Sequence, residues 1–334
     1  MDIKQYHHAI IGCGRISPIH KNAFVEAGVS HISYCDLDIH KAELLSENGN
    51  NIFSDYRDIP IKGLDSVSVC TDHKSHLQIS DYFLSNGVSV VVEKPCCLPM
   101  QCPEGTILKY TKGSTIYTQI AQHRYDSIVR FVKNLIDEGK LGHIVLADFT
   151  LYCHRSKKYF LESPWKGRYA SEGGSSIVNQ AFHLVDLINY FFGFTPKVEC
   201  YRTNYWLKDI IETDETSFAL FHYPEFHVSL KTTICSSETW FTRLDIIGSK
   251  AAISFSIDEP FAFYYYSDPV KTEIQGYLSS IRDSVSPSPF GYFGNSHKKQ
   301  IKSFVESTIA GRYINLPDIT SILNTHKLIK LLYL

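Results

Sequence analysis

At 334 residues, with 44% hydrophobic, 13% aromatic and 20% charged residues, the chain has the apolar mass for a buried core in one or two domains, and this excludes a disordered or collagen-like chain. Thirty-three Lys and Arg against 35 Asp and Glu leave a formal charge of −2, spread without a long run of one sign. There is thus no electrostatic case for nucleic acid or a membrane surface, and a small molecule is the expected partner. The first residues lack the basic and apolar segments of a secretory leader and no later run approaches a membrane span, so a cytoplasmic setting is expected. Nine cysteines without a CxxC pair read as reduced thiols. Cys96, Cys97 and Cys102 lack zinc-site spacing, and no metal is expected.

From Tyr6 to about Gln119, short β-rich runs alternate with helical patterns. The runs are His8 to Ile11, Ile32 to Cys35, Val67 to Cys70, Val88 to Val92 and Ile116 to Ile120, and Cys13, Cys35 and Cys70 stand at strand ends as small hydrophobes. Helices are predicted from near Asp38 to before Gly49 and over Ser75 to Asn86, closed by Gly87. This alternation predicts a parallel, doubly wound α/β sheet. Ser127 to Glu138 is amphipathic, with Ile128, Phe131, Val132, Leu135 and Ile136 at helical spacing and Gly139 as a stop. A strand at Ile144 to Tyr152 and a long helix follow. The β-rich runs from Lys197 to Tyr266 then predict an α+β domain with a large open, mainly antiparallel sheet. Ser284 to Pro289 reads as a surface loop, and helices at Ser296 to Ala310 and Ile319 to Leu332 end the chain. The expected domains are 1–122 and 123–334, with the last helix able to pack back on the first.

The first strand runs into Gly12-Cys13-Gly14-Arg15-Ile16-Ser17 and then a helix. Glycines in this context allow a tight turn and the close approach of a pyrophosphate to free N–H groups at the helix start. Ser17 stands where a third Gly or Ala is usual. The second strand ends in Asp36, about twenty residues on, where a carboxylate can accept both adenosine ribose hydroxyls. Its charge would repel a 2′-phosphate, and Leu37 and Asp38 follow rather than Arg, so NAD(H) is expected over NADP(H).

On a helical wheel, Ile177 to Phe191 is apolar except for Asn179, His183, Asp186 and Tyr190, which fall on one stripe. The stripe is expected to face a cleft, with a solvated helix edge as the alternative. Histidine titrates near neutral pH, so His183 suits removal of a hydroxyl proton as hydride leaves the same carbon. Lys94, at the C-terminal edge of the sheet, suits donation to the developing alkoxide. Asn179 exchanges no proton and is expected to position substrate. Five basic residues, Arg155, Lys157, Lys158, Lys166 and Arg168, against Glu162 favour an anionic substrate.

The motifs Gly12-Cys13-Gly14 with His20, Thr71 through His76, Glu93-Lys94-Pro95, Gln122-His123-Arg124-Tyr125, Gly173-Gly174 through His183 to Asp186, and the helix at His297-Lys298-Lys299-Gln300-Ile301 resemble those of the Gfo/Idh/MocA oxidoreductases. The likeness covers nearly the whole chain and implies a Rossmann domain, a second domain with an open sheet, bound nicotinamide and sugar or polyol chemistry. Trp165 through Arg168 with Asn179 to His183 look most like the members that oxidise the C-3 hydroxyl of UDP-N-acetylglucosaminuronate. Thr71-Asp72-His73 departs from the common Thr-Pro-Asn, and Asn179 from a common Asp. The resemblance implies catalysis by Lys94 and His183. It implies cofactor contacts from Gly12, Gly14, Arg15, Ile16, Asp36, Thr71, His73, His76, Glu93, Lys94 and Gln122, and substrate contacts from Arg124, Tyr159, Trp165, Lys166, Arg168, Asn179 and His183. A homodimer or homotetramer covering the open sheet is expected. Reduction of a 3-keto nucleotide sugar and a non-catalytic NAD(H)-binding regulator stand as alternatives.

Overall fold

A computed structural model describes residues 3–46, 51–111, 113–258, 261–281 and 296–334. The predicted loop at Ser284 to Pro289 lies outside them. The chain divides into two compact units, Met1–Gln122 with Asn295–Leu323, and His123–Gly294 with Asn324–Leu334.

In the first unit, six strands make a parallel sheet: β1 (His7–Ile11), β2 (His31–Cys35), β3 (Ile52–Phe53), β4 (Ser66–Val69), β5 (Ser89–Val92) and β6 (Tyr117–Gln119). Their order is β3-β2-β1-β4-β5-β6, the doubly wound arrangement whose direction reverses between β1 and β4. The two-residue β3 is too short to leave a periodic signal and was not expected. The helix after β4 starts at His73, behind Asp72, two residues before the expected start.

The alternating side chains of the strands feed two cores. Ala9, Ile11, Val67, Val69, Val90 and Val92 go to one face, with Ile79 and Phe83 of the helix His73–Ser85. Ile10 and Val91 go to the other, with Phe24 of the helix Ser17–Glu26. The helix His297–Ala310 belongs to this unit, which corrects the expected boundary at 123–334. Its Ile301, Phe304 and Val305 lie at helical spacing in the Phe24 core. Gln300 ties it to the sheet end, accepting from the Ala121 amide at 2.9 Å and donating to the Gln119 carbonyl at 2.8 Å.

The second unit holds a seven-stranded sheet of β7 (Ile144–His154), β8 (Val198–Thr203), β9 (Thr216–His222), β10 (His227–Thr233), β11 (Cys235–Gly248), β12 (Ala252–Phe255) and β13 (Phe263–Tyr266), in the order β13-β12-β11-β7-β10-β9-β8. Pairing is antiparallel except between β10 and β7, so the sheet is mixed and mostly antiparallel. One face packs on the helices Ser127–Asp137, Phe182–Phe192 and Lys271–Ile281 in a single apolar core. On the other, Tyr201, Phe218, Lys231, Thr150 and Arg243 line up across five strands in register, with Tyr201 and Phe218 exposed. The nine cysteines are free thiols, and among the described residues no helix is long and apolar enough to cross a membrane.

Candidate functional site

The first unit offers a half-site at the C-terminal ends of β1 and β2. Gly12 turns with φ +90° and donates its amide to Cys35 O at 2.8 Å. A Cβ there would stand 2.7 Å from the backbone C and O of Cys70, so the first glycine is required by the approach of β1 to the end of β4. Around Gly14, by contrast, a Cβ would meet nothing within 4 Å, which leaves room beside the start of the helix Ser17–Glu26. No side chain caps that helix start at Ile16, and Ser17 turns its hydroxyl to Gly14 O at 2.7 Å. Asp36 is fixed by two amides, Cys13 N on Oδ2 at 2.8 Å and Asp38 N on Oδ1 at 2.9 Å. Each oxygen keeps a second lone pair for a ribose hydroxyl. Open space at Gly14, N–H groups at a helix start and a preset carboxylate fit a dinucleotide.

Lys94 follows β5 at the same end of the sheet, and its neighbours hold the loop. Glu93, expected at the cofactor, is buried and occupied: Oε1 accepts from His20 Nε2 at 2.9 Å and Oε2 from the Lys94 amide at 3.2 Å. Burial works to raise the Glu93 carboxyl, but hydrogen bonds and charge from His20 and His297 outweigh it and hold the group well below the usual carboxylate range. His76, also expected at the cofactor, turns both ring nitrogens to backbone carbonyls, Nδ1 to Pro95 at 2.6 Å and Nε2 to Thr71 at 3.1 Å. Burial lowers its pKa against the raising effect of both carbonyls. Both residues therefore shape the loop from inside the unit. His73 and Gln122 are buried, Thr71 and Ile16 half-buried, and Arg15 is exposed beside the glycine turn.

In the second unit the expected 15-residue helix is broken. Residues Ser175–Gln180 form a π-helical turn, and the α-helix begins only at Phe182. Asp214 holds the start of the turn, accepting the Ser176 and Ile177 amides at 2.9 and 3.2 Å. Gly174 precedes it with φ +155°, where a Cβ would overlap the Tyr333 hydroxyl. The stripe predicted for one cleft-facing helix edge is thereby split. Asn179 sits on the π-turn, His183 on the first helical turn, and Asp186 points inward.

Asp186 takes Arg124 with it. Arg124 Nε and Nη2 donate to Asp186 Oδ2 and Oδ1 at 2.7 and 2.6 Å, the two side chains being 6% and 3% exposed. Arg124, an expected substrate contact, is held in a buried bidentate ion pair. Trp165 is half-buried, and Arg168 is exposed, 3.9 Å from Glu212.

Three expected substrate residues do converge. Asn179 Nδ2 lies 3.3 Å from Tyr159 OH, and Lys166 Nζ stands 3.6 Å from the Tyr159 ring centroid. Glu172, which the sequence did not single out, and Arg155, one of the five basic residues counted there, complete the cluster. Glu172, fully buried with its pKa raised by that burial, accepts from Asn179 Nδ2 at 2.5 Å. Arg155 stands 5.3 Å from the Tyr159 ring and donates to Gln180 Oε1. Counting charge over 154–168 alone misses Glu172 and Glu212, which offset part of the expected positive surplus. Beside His183, the ring of His123 packs edge-on at 4.8 Å, with its Nδ1 on Asp126 Oδ2 at 2.6 Å. Burial opposes protonation of His123, but Asp126, Asp258 and Asp186 outweigh it and raise its pKa.

The glycine turn with Asp36 at the end of the second strand and Lys94 at the sheet edge lie in the first unit, and His183 lies in the second. Residues 6–106 match the oxidoreductase family with an NAD-binding Rossmann fold, and residues 129–254 match the GFO/IDH/MocA C-terminal domain. The chain belongs to the Gfo/Idh/MocA family, and NAD is its cofactor. It is 24% identical over 228 residues to Oxidoreductase P35 of Formosa agariphila, a match spanning 65% of this chain and 64% of that relative. Its fold is similar to that of the WlbA dehydrogenase from Bordetella pertussis, solved with NADH and UDP-GlcNAcA, with TM-score 0.83 and 19% identity over 100% of this chain and 96% of the other. An inositol dehydrogenase homolog from Azotobacter vinelandii, solved with NAD+, follows with TM-score 0.75 and 15% identity over 97% and 93%.

Proposed function

We propose that the protein oxidises the C-3 hydroxyl of a nucleotide-linked sugar acid, with UDP-N-acetylglucosaminuronate as the substrate, giving the 3-keto sugar. The observation that carries this reading is the convergence of Lys166 and Asn179 on Tyr159, in a chain whose full length follows the fold of a dehydrogenase solved with that sugar. NAD, when bound, supplies the hydride acceptor. His183 takes the hydroxyl proton, and the Lys94 ammonium donates to the oxygen on which charge develops. Lys166 answers the charge of the substrate, and Asn179, oriented by Glu172, positions the sugar.

Incubation with NAD+ and UDP-N-acetylglucosaminuronate tests the reading. NADH should appear together with a product lighter by two hydrogens, and absence of both would refute it. The exposed Tyr201, Phe218 and Arg243 on that face of the sheet fit cover by a second copy of the chain, and light scattering should show a dimer or tetramer.

A further inference from the structure

The face of the first sheet that packs on the helix Ser17–Glu26 carries a line of polar side chains where apolar ones would serve a core. His8 on β1 and Ser66 and Ser68 on β4 alternate with Ala9, Val67 and Val69, which go to the opposite core. Tyr6 OH donates to Ser66 Oγ at 2.7 Å, and Ser66 Oγ meets His8 Nδ1 at 2.7 Å. His8 Nε2 meets Ser68 Oγ at 2.9 Å, Ser68 Oγ meets His20 Nδ1 at 2.9 Å, and His20 Nε2 meets Glu93 Oε1 at 2.9 Å. Tyr6, Ser66, His8, Ser68 and His20 are all 0% exposed, and Glu93 is 7% exposed.

One head-to-tail order satisfies every link. Each serine accepts from the residue before it and donates to an imidazole Nδ1, and each imidazole donates onward from Nε2. The chain ends on a carboxylate whose other oxygen accepts the Lys94 amide at 3.2 Å, with His297 Nε2 3.7 Å from Oε1. Burying six polar groups in a sheet core costs more than packing apolar ones of similar volume. What the chain delivers is an immobile acceptor for the backbone of Lys94.

We propose that His20 is a positioning residue for the reaction: oriented by Ser68, it fixes Glu93, and Glu93 fixes the Lys94 peptide and so the direction from which the ammonium reaches the reacting oxygen. The catalytic consequence rests on the role given to Lys94 above, whereas the mechanical link does not. The residues after Lys94 are anchored separately, by His76 on Pro95 O and by Gln119 Oε1 on the Cys96 amide at 2.7 Å. Loss of His20 should therefore loosen Lys94 without releasing the rest of the loop.

The test compares His20→Phe, His20→Gln and Ser68→Ala in the full-length protein with NADH bound, by hydrogen exchange and mass spectrometry of a peptide covering 92–98. Exchange there should rise about tenfold in His20→Phe and less in Ser68→Ala. It should stay near wild type in His20→Gln, whose amide can accept from Ser68 and donate to Glu93. With UDP-N-acetylglucosaminuronate, kcat of His20→Phe should fall about 10- to 100-fold, restored by His20→Gln, while KM for NAD+ moves less than about twofold. Unchanged exchange at 92–98 in a His20→Phe protein of normal melting temperature would overturn the proposal, as would equal loosening in His20→Gln. If His20→Phe does not fold, Ser68→Ala decides, and wild-type exchange in it overturns the proposal. If the wild type does not turn over this sugar, the functional reading falls and the exchange arm still decides the role of His20.

Discussion

Arg124 is the residue at which the sequence and the structure make opposite claims, so replacing it with alanine is decisive. A substrate-binding arginine would raise KM and leave folding alone. The structure instead commits its guanidinium to Asp186 with two bonds of 2.7 and 2.6 Å, and Thr325 Oγ1 adds a third to the same carboxylate at 2.8 Å. With both side chains more than nine-tenths buried, removal of the cation leaves a carboxylate without its counter-charge in a core. Breaking one partner of such a pair costs about 3–5 kcal/mol. At about 2–4 °C per kcal/mol for a unit of this size, the calorimetric transition of the second unit should drop by about 6–20 °C. Asp186→Asn should cost less, because the amide still accepts one bond. The double variant Arg124→Met, Asp186→Leu should recover most of the loss, since well-packed apolar groups replace buried pairs at little cost. An Arg124→Ala protein with an unchanged transition and a KM raised more than about tenfold would refute this reasoning and return the guanidinium to the substrate.

Three further outcomes are expected. Asp36→Ser with Leu37→Arg should turn the preference from NAD(H) toward NADP(H), read by titration calorimetry with both cofactors, because the repelling carboxylate is replaced and a cation gained. Lys94→Ala and His183→Ala should each lower turnover about 10²-fold, and the double variant should lose much less than the product of the two, as expected of groups serving one transition state. Full activity in both single variants would favour a regulatory, non-catalytic protein. The first unit should lose stability as the pH falls below about 6.5: burial lowers the pKa of His7, to about 4, and those of His8 and His76 in the folded state, while the unfolded chain takes up protons at the ordinary value, so stability is full above that pH and declines below it. Denaturant midpoints that do not change between about pH 7 and pH 5 would contradict this.

What the sequence made legible was what short-range pattern encodes. Strand periodicity and glycine punctuation located five of the six strands of the first sheet to within two residues at either end, and the carboxylate after the second strand stands where the nucleotide fingerprint put it. The errors share a cause, which is that one residue's role was decided by a partner far away in the chain. Asp186 was placed on a cleft-facing stripe because it was weighed alone; with Arg124, 62 positions away, it forms a buried pair. The helical wheel assumed an unbroken α-helix from Ile177. Instead a π-turn precedes Ala181, and its start is held by Asp214, 38 residues beyond Ser176, which accepts the Ser176 and Ile177 amides. Glu172 was passed over because a carboxylate beside a pair of glycines carries no periodic signal, yet it orients Asn179.

The polar line through the first core shows the same limit from the other side. Ser-Val-Ser-Val reads correctly as a strand, and nothing in that alternation distinguishes a serine facing solvent from one buried between two imidazoles. The distinction comes from His8 and His20, which reach Ser68 from a neighbouring strand and a crossing helix. In both units, then, the elements are set by local chemistry, whereas the groups assigned to the reaction are held by side chains that the fold brings in from a distance. Stability and turnover should accordingly separate by residue. Variants of Arg124 report on folding. Variants of His20 report on the placement of Lys94, and variants of Lys94 and His183 report on the chemistry itself.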